Sequence, residues 1–536
     1  MSVTLAFAPR SLPARLAVRP DLQRQMLRWG KGSTCSQTRP PLRRWLGSKT
    51  SEVDVGQCLA TTWLTTTPEQ LTPDDILSGF PNAAPNSALE YIPVLLFTPA
   101  FAHWADTQSA FVEQCLSRFY REALGRSPET AIHAITAIID RLPRIAQNGG
   151  SILGDETECE GVSILFARGE NIQGKAVTQR QIRSTETEKP TLLFSFREEV
   201  GGSNAIRQPV HEIGLQLANT IFLNGKENTL LGTRWAYDSS SMRLKLDKSA
   251  DLSTCSVTTT PTSISSSLKL PLHPVGQRRK VITSMGNILR QIAKHTDGNS
   301  NDPIPASSEL EKELPRYIAE NKITDQRVSV WALIETSAES PYTKSKHSQS
   351  SLASAIQTGA KLHRVMSGGG GWGKKQGLLS LDPEMSFGQS SNEGMKPLSG
   401  VLSPENRSSV YGLTSPPEPP MSMQDLSTLS QAAEPGDYVQ FFASVEENGL
   451  CEEGNSIPEP SEASLTCSFG VLSDADSFLG HTVKHKTLTT IPNYFGALSE
   501  KAITYLHPMD KSGPGGILES RTKIDVPGSR VTLVLE

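Results

Sequence analysis

The glycine-rich run at residues 367–377 has the residue types best suited to holding a ligand. Gly368 to Lys374 matches the pattern G-x-x-x-x-G-K, in which backbone N–H groups turn inward at positive φ and cradle phosphate. Such a loop also needs Ser or Thr after the lysine to hold magnesium, a strand before it and a helix after it. Here Lys375 stands at the hydroxyl position and a predicted helix precedes the run. The sequence therefore disfavours nucleotide hydrolysis at this loop.

Two other interpretations of the same run remain open. In the first, Trp372 is a stacking platform for a base of single-stranded RNA, and neighbouring cations contact the phosphate backbone. In the second, Trp372 packs on a neighbouring core and the loop is structural. The candidate phosphate- or RNA-binding residues are Arg364, Gly368, Gly370, Trp372, Gly373, Lys374 and Lys375, together with Arg278, Arg279 and Lys280.

Signals for catalysis and for metal binding are weak elsewhere in the chain. His481 and His485 have the spacing of two ligands on a helix, but the glutamate of a zinc protease is missing between them. The pair Asp474 and Asp476 has no third ligand at a set spacing. The seven cysteines form no C-x-x-C pair, and there is no G-x-S-x-G turn for a serine nucleophile. The sequence therefore predicts no catalytic residue, no metal site and no cofactor.

Charge is segregated along the chain although the net charge is only −4. Residues 252–296 contain six Lys and Arg and no acid, and residues 340–381 repeat that balance. Residues 408–483 invert it, with twelve acids and no Lys or Arg. One interpretation is that the two basic segments form a surface for RNA, phosphate or anionic lipid. The acidic segment would then either cover that surface or contact a basic partner. The alternative is that the acidic segment pairs with the basic blocks inside one fold.

The first fifty residues have the composition of a mitochondrial presequence. They contain ten Lys and Arg and one acid, and an apolar face recurs at helical spacing between residues 22 and 29. A basic arm that binds nucleic acid is the alternative. The longest apolar run, residues 92–104, contains two prolines and falls short of the roughly 20 residues that a membrane span needs. The expected location is the mitochondrial matrix. A peripheral position on the matrix side of the inner membrane is the alternative.

Hydrophobic patterning predicts an α/β or α+β fold with mixed sheets, packed helices and long disordered loops. Strands are predicted at residues 94–98, 161–167, 190–196, 327–335, 438–444, 468–472 and 530–535. Helices are predicted at residues 107–125, 281–295 and 352–366, and at 132–142, where the isoleucine content leaves a strand open. Residues 250–267 are predicted as a loop.

The predicted organisation has six segments. They are a presequence at 1–50, a linker at 51–84, an α/β domain at 85–250, a basic segment with helices, a strand and the glycine loop at 251–382, a Pro/Ser-rich linker at 383–435, and an acidic, β-rich segment at 436–536.

The strings HRVMSGGGGWGKKQGLLSLDP (363–383) and RVSVWALIE (327–335) resemble segments of uncharacterised fungal mitochondrial proteins. The resemblance implies mitochondrial import and carries no activity. With the charge pattern, it leads us to expect a non-enzymatic accessory factor, RNA-binding or associated with the mitochondrial ribosome. The alternatives are an enzyme with a nucleotide or phosphate ligand at residues 368–375, and a scaffold or assembly factor for an inner-membrane complex that binds a basic partner through residues 408–483.

Overall fold

The computed structural model describes a little over half of the chain. The described residues are 59–80, 88–126, 130–144, 158–177, 190–199, 208–225, 228–295, 302–323, 328–336, 349–368, 377–382, 394–403, 431–444, 464–473, 488–509 and 518–536.

Strands dominate these residues. They are β1 (Leu59–Thr65), β2 (Tyr91–Phe97), β3 (Ile132–Ile138), β4 (Leu142–Pro143), β5 (Glu158–Arg168), β6 (Ile172–Ala176), β7 (Thr191–Arg197), β8 (Val210–Gln216), β9 (Leu230–Asp238), β10 (Arg243–Thr259), β11 (Ile264–Lys269), β12 (His273–Met285), β13 (Ile288–Ala293), β14 (Pro303–Pro305), β15 (Ser329–Glu335), β16 (Lys361–Gly368), β17 (Leu379–Leu381), β18 (Lys396–Pro397), β19 (Tyr438–Ser444), β20 (Leu465–Val471), β21 (Thr489–Pro492), β22 (Tyr494–Ser499), β23 (Ile503–Pro508), β24 (Glu519–Ile524) and β25 (Arg530–Leu535).

Helices are fewer and mostly short in the same residues. They are α1 (Pro73–Ser78), α2 (Ala110–Phe119), α3 (Arg121–Arg126), α4 (Ile221–Asn224), α5 (Ser307–Glu320), α6 (Gln349–Gln357) and α7 (Leu398–Val401), with 3₁₀ turns at Pro68–Gln70, Ala88–Glu90, Pro99–Trp104 and Gly169–Asn171. None of the described helices is both long enough and apolar enough to cross a membrane.

The largest sheet has the strand order β21-β1-β5-β2-β3-β9-β10-β7-β8-β23-β24, with β4, β6 and β18 attached to it. The pairs β2–β3 and β7–β10 are parallel and their neighbours are antiparallel. The prediction of mixed sheets is therefore confirmed, although the fold is richer in strands than the sequence indicated. A second, four-stranded sheet has the order β11-β25-β20-β22.

Both faces of the large sheet are covered by apolar side chains. Along β2, Leu95 and Phe97 belong to one core cluster with the apolar side of α2, whereas Val94 and Leu96 belong to a second cluster. This alternation is what a strand between two packed layers requires. The second cluster continues into the four-stranded sheet and one side of the barrel described next.

Six strands close into an antiparallel barrel in the order β12-β19-β15-β16-β17-β13, with β13 returning to β12. Along β15, Val330, Ala332 and Ile334 share a core cluster with the other inward residues of the barrel. Trp331 and Leu333 point the other way and join the core of the large sheet. The barrel thus has its own apolar interior and is fixed to the rest of the fold by its outer face.

The predicted helix at 281–295 is wrong, because these residues form the β12–β13 hairpin. Met285 pairs with Ile288 across a two-residue turn in which Gly286 has φ +58°, as in hairpin turns that begin with glycine. The helical spacing of apolar residues was misleading here because β-branched side chains and this turn both favour a hairpin.

Three further predictions are corrected in the same direction. Residues 352–366 split into the end of α6 and the strand β16, with Gly359 (φ +104°) between them. Residues 132–138 form β3, the alternative that the isoleucines had left open, and residues 250–267 lie largely in β10 and β11. The strands in these three stretches pair with strands that are distant in sequence, which local patterning does not show.

The strands predicted near 94–98, 161–167, 190–196, 327–335, 438–444, 468–472 and 530–535 are confirmed as β2, β5, β7, β15, β19, β20 and β25, and a helix within 107–125 is confirmed as α2. Inside the predicted Pro/Ser-rich linker, residues 394–403 pair with β6 through β18 and bury Leu398 and Leu402 against the large sheet. The segment 1–50 lies outside the described residues, as do Asp474, Asp476, His481 and His485.

Candidate functional site

The two basic, acid-free segments of the sequence meet in the barrel. β12 and β13 come from the first segment, and β16 and β17 come from the second. The pairing of β13 with β17, Ile288 opposite Ser380 and Leu289 opposite Leu379, joins them directly. The six barrel strands carry one acid, Glu335, against the cations Arg278, Arg279, Lys280, Arg290, Lys361 and Arg364.

The glycine loop connects two antiparallel strands of this barrel. β16 ends at Gly368, which pairs with Leu379 at the start of β17. A phosphate-cradling loop opens a helix, whereas this loop leads into a strand, so the expected structural context is missing. Of the other predicted residues of the loop, Gly370, Trp372, Gly373, Lys374 and Lys375 lie outside the described residues.

Close packing explains two glycines at the base of the loop. A Cβ atom on Gly368 would lie 2.2 Å from Leu379 Cδ2. Gly377 has φ +84°, and a Cβ there would lie 2.6 Å from Pro305 Cβ. Gly377 therefore requires glycine by its backbone conformation, and a side chain at Gly368 would require Leu379 to shift, whether or not the loop binds a ligand.

Arg278 is held on the barrel by a buried carboxylate. Its Nε donates to Glu335 Oε2 at 2.5 Å, and the two side chains are only 13% and 4% exposed. The guanidinium also lies 3.9 Å from the ring centroid of Tyr438, which is a cation–π arrangement. Because its charge is already paired, Arg278 has a structural role in this barrel.

Arg279 has a comparable partner on the helix that packs against β12. Its Nε and Nη2 each donate to Glu309 Oε2 at 2.8 Å, and Nη1 donates to the carbonyl oxygens of Ala293 and Lys294. The backbone N–H of Gln277 donates to Glu309 Oε1 at 2.8 Å. Glu309 therefore fixes α5 to β12 by bonds to both a side chain and the backbone.

A local distortion of β12 makes room for Glu309. The pairing register of β12 with β19 shifts between Val275 and Arg279, and Gly276 within that shift has φ +71°. A Cβ on Gly276 would lie 2.5 Å from Glu309 Oε1. Glycine is required here by its backbone conformation and by the approach of the carboxylate.

Lys280 and Arg364 are the remaining predicted cations in the described residues. Lys280 is half-buried and pairs across the ladder with Tyr438. Arg364 donates from Nη2 to Ser329 Oγ at 3.0 Å, and its guanidinium lies 5.6 Å from the ring centroid of Trp331. The structure thus brings Arg278, Arg279, Lys280, Arg364 and Gly368 into one barrel, in separate local environments.

The two neutralising carboxylates come from outside the acidic segment 408–483. Glu309 lies on α5 and Glu335 lies at the end of β15. Arg278 and Arg279 are therefore paired inside the fold, as the alternative interpretation of the charge pattern expected. Their partners, however, are Glu335 and Glu309 and not acids of the segment 408–483.

Two exposed cations of β13 and its end, Arg290 and Lys294, were not among the predicted site residues. Their backbone is fixed, because the carbonyl of Arg290 accepts from Ala306 N–H at 3.1 Å and the N–H of Lys294 donates to Asp302 O at 2.9 Å. Their side chains face solvent while Leu289 and Ile292 enter the core. The sequence does place both cations in the acid-free segment 252–296. However, residues 281–295 were predicted as a helix, and a helix does not indicate which side chains of a strand point outward.

A separate small cleft lies at the start of β2 and β3, with a volume of about 220 Å³. Tyr91, His133 and Glu170 are among its lining residues. Burial, with a smaller contribution from Arg234, lowers the pKa of His133 to about 4, so this imidazole is neutral at pH 7. The cleft is smaller than the roughly 300–1,000 Å³ usual for ligand pockets.

Within the described ranges, no group of three or more His, Cys, Asp or Glu side chains is placed to hold a metal ion. Comparison with family models, with curated proteins and with solved structures gave no match.

Proposed function

We propose that this protein is a non-enzymatic accessory factor that binds single-stranded RNA on its six-stranded barrel. The observation that carries the proposal is the pair of exposed cations, Arg290 on β13 and Lys294 just after it, on a barrel whose strands contain a single acid, Glu335. Phosphate contacts by Lys and Arg supply most of the affinity of such proteins for RNA. Arg278 and Arg279 are paired inside the fold, so the binding cations are the exposed Arg290 and Lys294.

The glycine loop supports the same proposal through its sequence and its points of attachment. It carries Trp372, Lys374 and Lys375. At its ends, Gly368 pairs with Leu379 in the barrel, and the carbonyl oxygen of Gly377 accepts from the N–H of Ser307 on α5. A tryptophan gives a base a surface for stacking, and adjacent lysines give phosphate a counter-charge. The proposed RNA path therefore runs from β13 towards the base of this loop.

The proposed compartment is the mitochondrial matrix, and the proposed partners are RNA and the mitochondrial ribosome. The basis for the compartment is the ten-to-one excess of basic over acidic residues in the first fifty positions. A fluorescent reporter fused to residues 1–50 should enter mitochondria. A diffuse or nuclear reporter would contradict this part of the proposal.

The RNA proposal is tested by fluorescence anisotropy of a labelled single-stranded RNA with the full-length protein. We expect Arg290→Ser with Lys294→Ser to lower the affinity roughly tenfold, since each lysine or arginine contact to phosphate adds to binding. Lys269→Ser is the matched control, because Lys269 is exposed and belongs to the same basic segment but lies on β11 of another sheet. Equal affinity of the double variant and the wild type would overturn the assignment.

Affinity purification from mitochondria tests the class of function. The proposal predicts recovery of RNA or ribosomal proteins, released by salt. Recovery of inner-membrane complex subunits without RNA would favour the assembly-factor alternative instead.

A further inference from the structure

Two bulges in the barrel strands place one apolar and one cationic side chain in solvent. In β16, the pairing with β17 skips Met366, which is 60% exposed. In β13, the pairing with β12 skips Arg290, which is exposed as well. Bulges of this kind redirect side chains and are frequent beside functional sites. The two bulges therefore direct attention to the outer surface between these two residues.

A row of paired residues crosses that surface. Met285 of β12 pairs with Ile288 of β13, which pairs with Ser380 of β17. Ser380 in turn pairs with Ser367 of β16. The adjacent residues on β13 and β17 belong to the barrel core, namely Leu289, Leu379 and Leu381. Because side chains alternate along a strand, the row itself faces outward, and it spans about 14 Å at roughly 4.8 Å per strand.

Both ends of the row are apolar. Met285 is 61% exposed at one end, and Met366 adjoins Ser367 at the other. Ile288 is half-buried between them. We call Met285, Ile288 and Met366 the apolar platform. Methionine is enriched at binding surfaces, where its flexible and polarizable side chain adapts to different partners.

The charge beside the apolar platform indicates what covers it. Arg290 follows Ile288 by two residues on β13, and Lys294 lies just after the end of that strand. The single acid of the barrel strands, Glu335, is buried and paired with Arg278. These strands therefore place cations, and no exposed carboxylate, beside an apolar surface. A single-stranded nucleic acid matches this arrangement, because each nucleotide has a flat ring and a phosphate.

Two hydroxyl groups within the row favour nucleobases over the acyl chains of a lipid. Ser380 and Ser367 lie between Ile288 and Met366 and interrupt the apolar surface. A serine hydroxyl both donates and accepts hydrogen bonds, which base edges offer and acyl chains do not. The sulfur of methionine also makes favourable contacts with aromatic rings. The row thus matches the chemistry of a base on both counts.

We infer that the apolar platform binds the bases of single-stranded RNA while Arg290 and Lys294 contact its phosphates. The inference rests on the proposed RNA binding and gives the bases a place on the barrel strands themselves. Because every base has an apolar face, the platform accepts bases with little regard to sequence.

The test is fluorescence anisotropy of the full-length protein with two labelled probes of equal length, a single-stranded RNA and an abasic ribose-phosphate oligomer. We expect Met285→Gln with Met366→Gln to lower the affinity for RNA roughly tenfold, because glutamine keeps the length of the side chain but loses the contact of the thioether with the bases. The affinity for the abasic oligomer should stay at the wild-type value, since both probes keep the phosphate contacts. Both methionines are exposed, so the variant should fold as the wild type does.

Met242→Gln is the matched control. Met242 is 77% exposed in the turn between β9 and β10 of the large sheet, and its replacement should change neither affinity. The inference is overturned if the double methionine variant binds RNA as tightly as the wild type, which would leave the apolar platform to a protein partner. An equal loss of affinity for both probes would also overturn it.

The cations give the experiment its second arm. Arg290→Ser with Lys294→Ser should weaken the binding of both probes, because both contain phosphate. A wild type that binds RNA through these cations, together with methionine variants that have no effect, would remove the apolar platform and leave the RNA proposal intact. A wild type that binds neither probe would overturn the RNA proposal and this inference together.

Discussion

Two regions of this molecule bury ionisable side chains in opposite ways. At the junction of the barrel with α5, Arg279 and Glu309 are both charged and satisfy each other. On the large sheet, His211 and Tyr505 are also buried, but they share a hydrogen bond of 3.0 Å between Nδ1 and the hydroxyl. Burial, with a smaller effect from His507, lowers the pKa of His211 to about 4. The stability of the first region therefore requires both side chains to be charged, whereas the stability of the second requires both to be neutral.

The comparison predicts its largest effect for the loss of one partner of the charged pair. Glu309→Ala should destabilise the protein by about 3–5 kcal/mol, because Arg279 would remain buried without a counter-charge. The measurement is the free energy of unfolding in urea. Glu320→Ala, on the same helix but 65% exposed, should cost less than about 0.5 kcal/mol. Equal costs would show that the Arg279–Glu309 pair does not hold the junction.

Acid should destabilise the region around His211. The pKa of His211 in the folded state lies below the value of about 6.5 expected when unfolded. The unfolded chain therefore binds more protons, and stability should fall as the pH is lowered from about 6.5 to 4. At roughly 1.4 kcal/mol for each pKa unit, the His211 contribution is about 3 kcal/mol.

His211→Gln tests this assignment, because its amide retains hydrogen-bonding capacity without titrating. The variant should lose less stability than the wild type between pH 6.5 and pH 4. Some dependence will remain, because the pKa of His133 is lowered in the same direction. Identical pH profiles for the two proteins would contradict the account of His211.

Substitution of two glycines, Gly286 in the turn after β12 and Gly276 within β12, distinguishes the cost of backbone strain from the cost of disturbing Glu309. Gly286→Ala should cost about 1 kcal/mol, because Gly286 has φ +58° but no heavy atom lies within 4 Å of a Cβ placed there. Gly276→Ala should cost about 2–4 kcal/mol, because its Cβ also displaces the carboxylate of Glu309. Thermal unfolding of the two variants would show the difference. A smaller loss for Gly276→Ala than for Gly286→Ala would contradict the role given to Glu309.

The sequence revealed those strands that are short apolar runs between turn signals. β2 and β15 were recognised in this way, since each lies within a short run that is buried along nearly its whole length. β12 and β13 were missed because Ile282, Met285 and Ile292 also fit a helical spacing, although the turn at Gly286 favours a hairpin. The closed barrel depends on pairing between strands that are distant in sequence, which no local pattern indicated.

The candidate site was predictable only as a region. The acid-free segments of the sequence contain the residues of β12 and β16, but they do not indicate which cations are neutralised there. Glu309 and Glu335 lie 30 and 57 residues along the chain from the arginines that they pair with. Charge runs along a sequence therefore do not report the charge of the folded surface.

Removal of exposed cations should have the smallest effect on stability. Arg290→Ser and Lys294→Ser should each change the free energy of unfolding by less than about 0.5 kcal/mol, because both side chains are in solvent. Urea denaturation of the two variants would check this. A loss of several kcal/mol would show that these cations have structural partners like those of Arg278 and Arg279.

The salt dependence of RNA affinity tests the central claim most directly. Each phosphate contact to a single strand contributes about 0.7 to the slope of log affinity against log salt. Replacing both Arg290 and Lys294 with serine should therefore reduce that slope by about 1.4 relative to the wild type. The control Lys269→Ser should keep the wild-type slope. A wild-type slope in the double variant, or no RNA affinity in the wild type, would contradict binding on the barrel.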